Sequence, residues 1–306
     1  MTDAEAAPAK LNLFLNVAGR RDDGYHLLDS LFVFVGLADE LSLTPGGALS
    51  LDVEGLSADA IAGDDNLVLR AARKIAEAAG AAPSFRLRLR KRIPVAAGLG
   101  GGSADAAAAL RLIARRWRLD WPQERLLEIA ASLGADVPAC LAGRAVIARG
   151  TGGDLSPAPI LPDCGILLAN PNIATPTPEV FAAYRTMNPV VPDWASRGLP
   201  ALGDRHDDLA ALVAAISPRG NDLLPAALRV TPEIGGVLAV LQRLPGAAYA
   251  GLSGSGATCF ALFHSAEAAA AAQTRLHTAP GRSWWSWAGA MTRPGSVAGQ
   301  AESLRR

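Results

Sequence analysis

The run Gly98-Leu99-Gly100-Gly101-Gly102-Ser103 carries the clearest chemistry in this chain. A basic segment precedes it and an alanine-rich one follows. A helix start leaves several backbone N–H groups unpaired and bears partial positive charge, so it attracts an anion. Successive glycines let a diphosphate reach that backbone with no Cβ in the way, and Ser103 adds a hydroxyl for a phosphate oxygen or a bound magnesium. A plain strand–helix connection needs at most one glycine, since each further one costs folding entropy. The Walker pattern is excluded, because Gly102 stands where its lysine belongs. The dinucleotide pattern begun at Gly98 meets Ser103 in place of its last glycine. Asp105, just inside the helix, complements its dipole but would repel a phosphate, so it is expected to face away from the loop.

Two single residues add to this. Lys10 and Asn12 share one face of an extended segment, which puts a cation beside an amide. Asp136 lies in the turn Gly134-Ala135-Asp136-Val137-Pro138, where a carboxylate can shape the turn or accept the proton of an alcohol.

The elements that must position these groups are read from periodicity. Leu11 to Val17 alternates as a half-buried strand, and Leu27 to Leu43 forms one or two more, ending at Pro45. Leu67 to Ala79 has helical spacing. Phe85, Leu87 and Leu89 alternate with Arg86, Arg88 and Arg90, a strand with a basic outer face. Ala104 to Arg116 and Gln123 to Leu133 are helices, the second stopped by Gly134. Ala145 to Ala148 is a short strand. The three prolines between Ser156 and Pro162 mark a domain junction.

Beyond it, Ile166 to Ala169 is a strand and Pro178 to Tyr184 begins a helix. Asn188 to Pro200 has no periodicity. Helices are expected near Asp207 to Ile216, Leu223 to Val230, Pro232 to Leu244 and Ala266 to Leu276. A second glycine turn, Gly251 to Gly256, runs into a strand, Thr258 to Phe263. Trp284-Trp285-Ser286-Trp287 has no evident role, and the tail after Arg293 is polar and loose. Periodicity alone supports mixed α and β.

Composition narrows the function. The 306 residues carry 29 basic and 29 acidic side chains spread along the chain, which argues against a nucleic-acid surface or a disordered tail. Three scattered cysteines without ligand spacing fit a reducing compartment. Met1 to Ala9 does not read as a signal peptide, and no apolar run reaches the ~20 residues of a spanning helix. A soluble, cytoplasmic protein that binds no membrane is expected. No motif sets an oligomeric state.

Pro94-Val95-Ala96-Ala97-Gly98-Leu99-Gly100-Gly101-Gly102-Ser103-Ala104 resembles the phosphate loop of the GHMP kinases, broadly Pro-x-x-x-Gly-Leu-Gly-x-x-Ser. Val95-Ala96-Ala97 departs from the Met and glycines common there, a variation that still allows a compact turn. Four further segments, Pro8 to Leu15, Asp23-Gly24-Tyr25-His26, Gly134 to Pro138 and Gly251 to Ala257, resemble one branch of that superfamily. This branch phosphorylates a cytidine-diphosphate-linked polyol in non-mevalonate isoprenoid precursor synthesis. The resemblance runs over roughly residues 8 to 290 in one order.

It implies an α+β, two-domain fold: a ribosomal protein S5 domain 2-like domain over residues 1–157 and a ferredoxin-like domain over 158–306, with a polar tail from about 294. It implies ATP as co-substrate, with Mg2+, and a cleft between the domains. Lys10 and Asp136 fall on the family's catalytic positions. Asn66 and Lys91 fall on its ATP side, with the loop from Pro94 to Ala104. Tyr25 and His26 fall on the cytosine pocket, Phe181 on a second aromatic there, and Asn12 and Thr177 on the substrate side.

Several have a plainer reading: Lys10 a solvated lysine, Lys91 a continuation of the charged strand Arg86 to Arg92, Tyr25 and His26 a partly buried hydrophobe beside a surface histidine. Another small-molecule kinase of the superfamily (mevalonate- or homoserine-type) and a non-catalytic nucleotide-binding protein remain as alternatives. RNA binding through Arg86 to Arg92 is a distant third.

Overall fold

Two long strands, β1 (Asp3–Arg20) and β2 (His26–Pro45), fold back on each other around the polar turn and pair antiparallel along nearly their whole length. The structure, a computed structural model, describes residues 3–56, 63, 65–189, 198–278 and 283–292. The other edge of β2 takes β5 (Val146–Gly150) near its start and β4 (Phe85–Lys91) near its end. Outside these lie β6 (Asp154–Pro157), paired with β5, and β3 (Ser50–Gly55), which runs parallel to β4. A parallel pair needs a crossover, and α1 (Leu67–Ala79) supplies it. On β4 the predicted alternation holds: Phe85, Leu87 and Leu89 point inward while the three arginines face out.

β1 corrects the expectation of a half-buried strand. Leu11 through Val17 are all at most 4% exposed. The helix α2 (Gly101–Trp117) packs against this strand. Leu11, Leu13 and Phe14 also join a core with Ile166, Leu168 and Phe260 of the second sheet. A register shift between Asn12 and Phe14 lets the neighbours Leu13 and Phe14 enter the same core. Each fully buried Leu or Phe contributes about 1.5–3 kcal/mol.

α2 begins at Gly101 rather than Ala104, so two glycines of the loop are already its first turn. Its alanines are buried and small, which lets α1 and β1 approach closely. After α3 (Gln123–Ala131) comes a short helix the sequence reading missed, α4 (Val137–Ala142).

The second sheet has the order β10-β7-β9-β8, all antiparallel, built from β7 (Gly165–Asn170), β8 (Tyr249–Leu252), β9 (Cys259–Phe263) and β10 (Trp285–Ala290). The principal helices around it are α5 (Thr177–Met187), α8 (Glu233–Leu241) and α9 (Ala266–Thr278), in a ferredoxin-like order. α6 (Leu209–Ile216) lies in the core between the two sheets, and α7 (Leu224–Val230) contacts α5 and α8.

β3, β6, β8 and β10 were not foreseen. Trp285 and Trp287 of the tryptophan cluster lie in the edge strand β10, and Trp287 lies over the face of Gly36. Residues 190–197 of the proline-broken stretch and the tail from 293 lie outside the described residues. No helix of the described residues is long and apolar enough to cross a membrane.

Backbone bonds join the two halves. The N–H of Leu15 donates to the Gly220 carbonyl at 2.9 Å, and that of Asp222 donates to Leu15 at 2.8 Å. Thr292 N–H donates to the Phe34 carbonyl at 2.8 Å.

Candidate active site

The glycine loop is held from three sides. Lys10 N–H donates to the Leu99 carbonyl at 2.9 Å, and Thr258 N–H to the Ala97 carbonyl at 3.2 Å. The Ser253 hydroxyl donates to the Gly98 carbonyl at 2.8 Å and accepts from Asn12 N–H at 3.2 Å. Gly98 has φ +73°, and a Cβ there would lie 2.4 Å from the Ser253 carbonyl oxygen. Only glycine fits. The second glycine turn therefore braces the first, a role its sequence does not announce.

Gly100, at φ +62°, precedes the first turn of α2, so the early N–H groups of the helix face outward without a side-chain cap. A cleft of about 560 Å³ opens over them. Pro94, Val95, Ala96, Ala97, Gly98, Gly100, Gly101, Gly102 and Ser103 line it, with Asn66, Lys91, Asp136 and Thr177. Leu99 and Ala104, expected to bind nucleotide, do not line it: both are 1% exposed and belong to the core, leaving backbone alone to act. Asn66 caps α1, its side-chain oxygen accepting from Val68 N–H at 2.9 Å. Asp65 and Leu67 also line this end and were not singled out from sequence.

Lys10 and Asp136 meet beside the loop. Lys10 Nζ lies 2.9 Å from Asp136 Oδ2 and donates to Asn12 Oδ1 at 2.9 Å, with the Phe32 ring centroid 4.5 Å away. Two of its three N–H donors are thereby engaged. The solvated-lysine reading fails, since Lys10 is 4% exposed. Asp136 is the N-cap of α4, yet its side chain makes no capping bond and turns to Lys10. A Cβ on Gly100 would sit 3.1 Å from Lys10 Cε and 3.7 Å from Asp136 Oδ2, so loop and ion pair touch. Asn12 lines neither cleft. It is 1% exposed, and its amide N–H donates to Ser30 Oγ at 2.9 Å, so it holds Lys10 from behind.

Lys91 is not a solvated end of the basic strand. Its side chain is buried against Asp39 and Asp105, with Asp105 Oδ2 at 2.7 Å from Nζ. Asp105, expected to face away, instead points beneath the loop and contributes to the cleft wall. Burial works against the charge on Lys91, but Asp105 and Asp39 outweigh it and hold the lysine above its ordinary range.

A second cleft, about 780 Å³, adjoins the first, and Thr177 lines both. Tyr25, His26 and Phe181 line it, as do Arg21 and Arg185. Tyr25 is 68% exposed, so its ring is open to a ligand. His26 stacks on Phe181 with centroids 5.2 Å apart and meets Tyr184 edge-on at 5.5 Å. That spacing leaves no room for a base between His26 and Phe181; the two rings form one wall. Burial, then Arg185 and Arg20, lowers the His26 pKa below 6.5, and Nε2 has no hydrogen-bond partner among the described residues. Thr177 Oγ1 and Ser255 Oγ lie 2.8 Å apart at the junction of the clefts.

This combination of fold and loop defines a class. Residues 66–144 match the model of the GHMP kinases N terminal domain, and residues 200–282 that of the GHMP kinases C terminal domain. The chain belongs to the GHMP kinases and, within them, to the family of the 4-diphosphocytidyl-2-C-methyl-D-erythritol kinases. It is 48% identical over 287 residues to the kinase of that name from Rhodospirillum rubrum, spanning 92% of this chain and 90% of the relative. A crystal structure of 4-(cytidine 5'-diphospho)-2C-methyl-D-erythritol kinase superposes with a TM-score of 0.74 at 36% identity, over 94% of this chain and 98% of that one. Homoserine kinase from Cytophaga hutchinsonii has a TM-score of 0.70 over 95% of both chains but 20% identity, a likeness of fold alone.

Proposed function

We infer that this chain is an ATP-dependent small-molecule kinase that phosphorylates the C2 hydroxyl of 4-diphosphocytidyl-2-C-methyl-D-erythritol in non-mevalonate isoprenoid precursor synthesis. The observation that carries the mechanism is the Lys10–Asp136 pair, 2.9 Å apart and in contact with the first glycines of a helix-start loop. The first cleft takes the nucleotide, its phosphates on the loop amides from Gly98 to Ser103. The second takes the cytidine end, with Tyr25 as an open stacking face and the His26–Phe181 wall beside it. Thr177, shared by both, marks where the polyol crosses.

The acceptor oxygen attacks the γ-phosphorus in line. The new P–O bond forms as the bond to the β-phosphate oxygen breaks, the hydroxyl proton passes to Asp136, and ADP leaves. Positioned general-base catalysis contributes about 10²–10⁴ in rate. The third N–H of Lys10 is available to a phosphoryl oxygen, a preorganised donor of a kind that contributes about 10²–10³.

Asp105 and Asp136 are each engaged by a lysine, and no group of three His, Cys, Asp or Glu among the described residues forms a cation site. Magnesium bound with the nucleotide would offset charge on the phosphate oxygens.

The test is a substrate panel with ADP release as readout. Turnover is expected on the cytidyl diphosphate substrate and at least 100-fold less on the free polyol or its monophosphate, by the stacking scale of about 1–3 kcal/mol per base together with lost orientation. Equal turnover on the smaller alcohols, or a preference for homoserine or mevalonate, would overturn the assignment.

A further inference from the structure

Two carboxylates share one lysine beneath the phosphate loop. Lys91, Asp39 and Asp105 have side chains at most 3% exposed, and both carboxylates contact the same ammonium nitrogen. With all three ionised the cluster carries a charge of −1, directly under a loop built to receive a polyanion. It also abuts that loop: Lys91 Nζ lies 3.3 Å from where a Cβ of Gly101 would sit, and Lys91 and Asp105 both line the nucleotide cleft.

The two carboxylates are not equivalent. Asp39 accepts from Lys91 through one oxygen and from the backbone N–H groups of Arg92 and Ile93 through the other. Asp105 accepts from Lys91 alone among the described residues, and its Oδ1 is buried with no hydrogen-bond partner. Donors stabilise the charged form, and burial without them favours the neutral one. Of the two, Asp105 is therefore the one fitted to hold a proton. A protonated Asp105 becomes a donor, with Asp39 close enough to accept.

We propose that Asp105 is a positioning residue that carries a proton whenever phosphates sit on the loop above it, so that at alkaline pH nucleotide binding draws a proton into the clasp and turns it from a net charge of −1 to neutral. The proposal rests on the reading of this cleft as the nucleotide site. In the free protein, burial pushes the Asp105 pKa up to about 8, with Lys91 opposing and Asp39 adding to the shift. An incoming phosphate group raises it further, because like charge disfavours the carboxylate.

Other charged groups on the packed elements are already engaged. On β1, Glu5 is held by Arg111 and Arg115, and Lys10 by Asp136. On α4, the Cys140 thiol is pushed up to about 12, chiefly by burial, and stays neutral. α1 buries only apolar residues toward α2.

Linkage fixes the sign. If binding raises the carboxyl's pKa, binding takes up protons, and affinity falls by up to about tenfold per pH unit above the free protein's value. The experiment is calorimetric titration of the intact protein with a non-hydrolysable ATP analogue and magnesium. It is run between pH 8 and 9 in two buffers of contrasting ionisation enthalpy.

Between zero and one proton should enter per nucleotide bound, and Asp105→Asn, nearly isosteric, should abolish that uptake and flatten the fall in affinity. Infrared difference spectra should show a protonated carboxyl band on nucleotide addition, a readout that needs only the wild-type chain. Nucleotide binding with no proton uptake by the wild type, or the same uptake in a folded Asp105→Asn, overturns the proposal alone. Absence of nucleotide binding overturns the functional reading along with it.

Discussion

The ammonium of Lys10 and the carboxylate of Asp136 stand 2.9 Å apart, one on the first strand and the other at the start of a short helix after α3. The side chain of Asp136 is left partly open while that of Lys10 is almost closed off. Replacing the exposed partner should therefore spare the fold. Asp136→Ala is expected to lower kcat by about 10²–10⁴ with little change in KM for ATP. Steady-state kinetics beside a thermal melt checks this, and near-normal kcat would remove Asp136 from proton transfer.

Lys91 is the opposite case. Substituting Met would leave Asp39 and Asp105 buried together without their cation. Breaking such a cluster from one side costs about 3–5 kcal/mol. Urea denaturation should report a loss of that size, larger than the corresponding loss for any exposed arginine of β4.

One substitution made at two glycines should separate stability from catalysis. Gly98→Ala drives a Cβ into the backbone oxygen of Ser253 at positive φ, and should destabilise by at least about 1–3 kcal/mol. Gly100→Ala meets the Lys10 side chain instead, 3.1 Å from Cε and 3.3 Å from Cβ, and at least about 1–2 kcal/mol of conformational strain is expected. Because it displaces Lys10, its kcat should fall at least about tenfold. Equal effects of the two variants on stability and on kcat would contradict this division.

Phe181 backs His26 in the second cleft. Phe181→Ala should raise KM for the cytidyl substrate by about 5- to 150-fold, the range of base-stacking energies, while KM for ATP stays within twofold or so. A parallel rise in both constants would argue for a general collapse of the site.

His26 also sets a pH limit on the fold. Its pKa is held below 6.5, first by burial and then by Arg185 and Arg20. On acidification the unfolded chain takes up the proton first, so this contribution is complete above 6.5 and is lost as pH falls through the lower, folded value. The urea midpoint should drop between pH 7 and 5 more steeply for the wild type than for His26→Asn.

Much of the frame is legible where one physical signal dominates. α1 matches its reading from Leu67 to Ala79, with Asn66 and Gly80 as end signals, and β4 shows its two faces by strict alternation. β1 is misread because the pattern assumed one wet face, whereas a helix and a second sheet cover it. β3 and β6 are short and β10 is rich in tryptophan and glycine, so periodicity has little to grip.

Lys91 had a readable signal. It shares the parity of Phe85, Leu87 and Leu89, which points it inward, and Asp39 interrupts an apolar run in β2. A lone charge at an inward position calls for an opposite partner. The bracing of Gly98 by Ser253 was not readable, because no local pattern encodes a contact 155 residues away.

That bracing has a consequence for the chain as a whole. Apart from Thr177, every residue lining the first cleft belongs to the first half, but the carbonyls of Ala97 and Gly98 are fastened by Thr258 and Ser253 of the second. Neither half owns a finished site. A severed first half would keep every cleft-lining group but Thr177 yet lose the mould that shapes them, so the proposed nucleotide site is complete only when both ends of the polypeptide have come together.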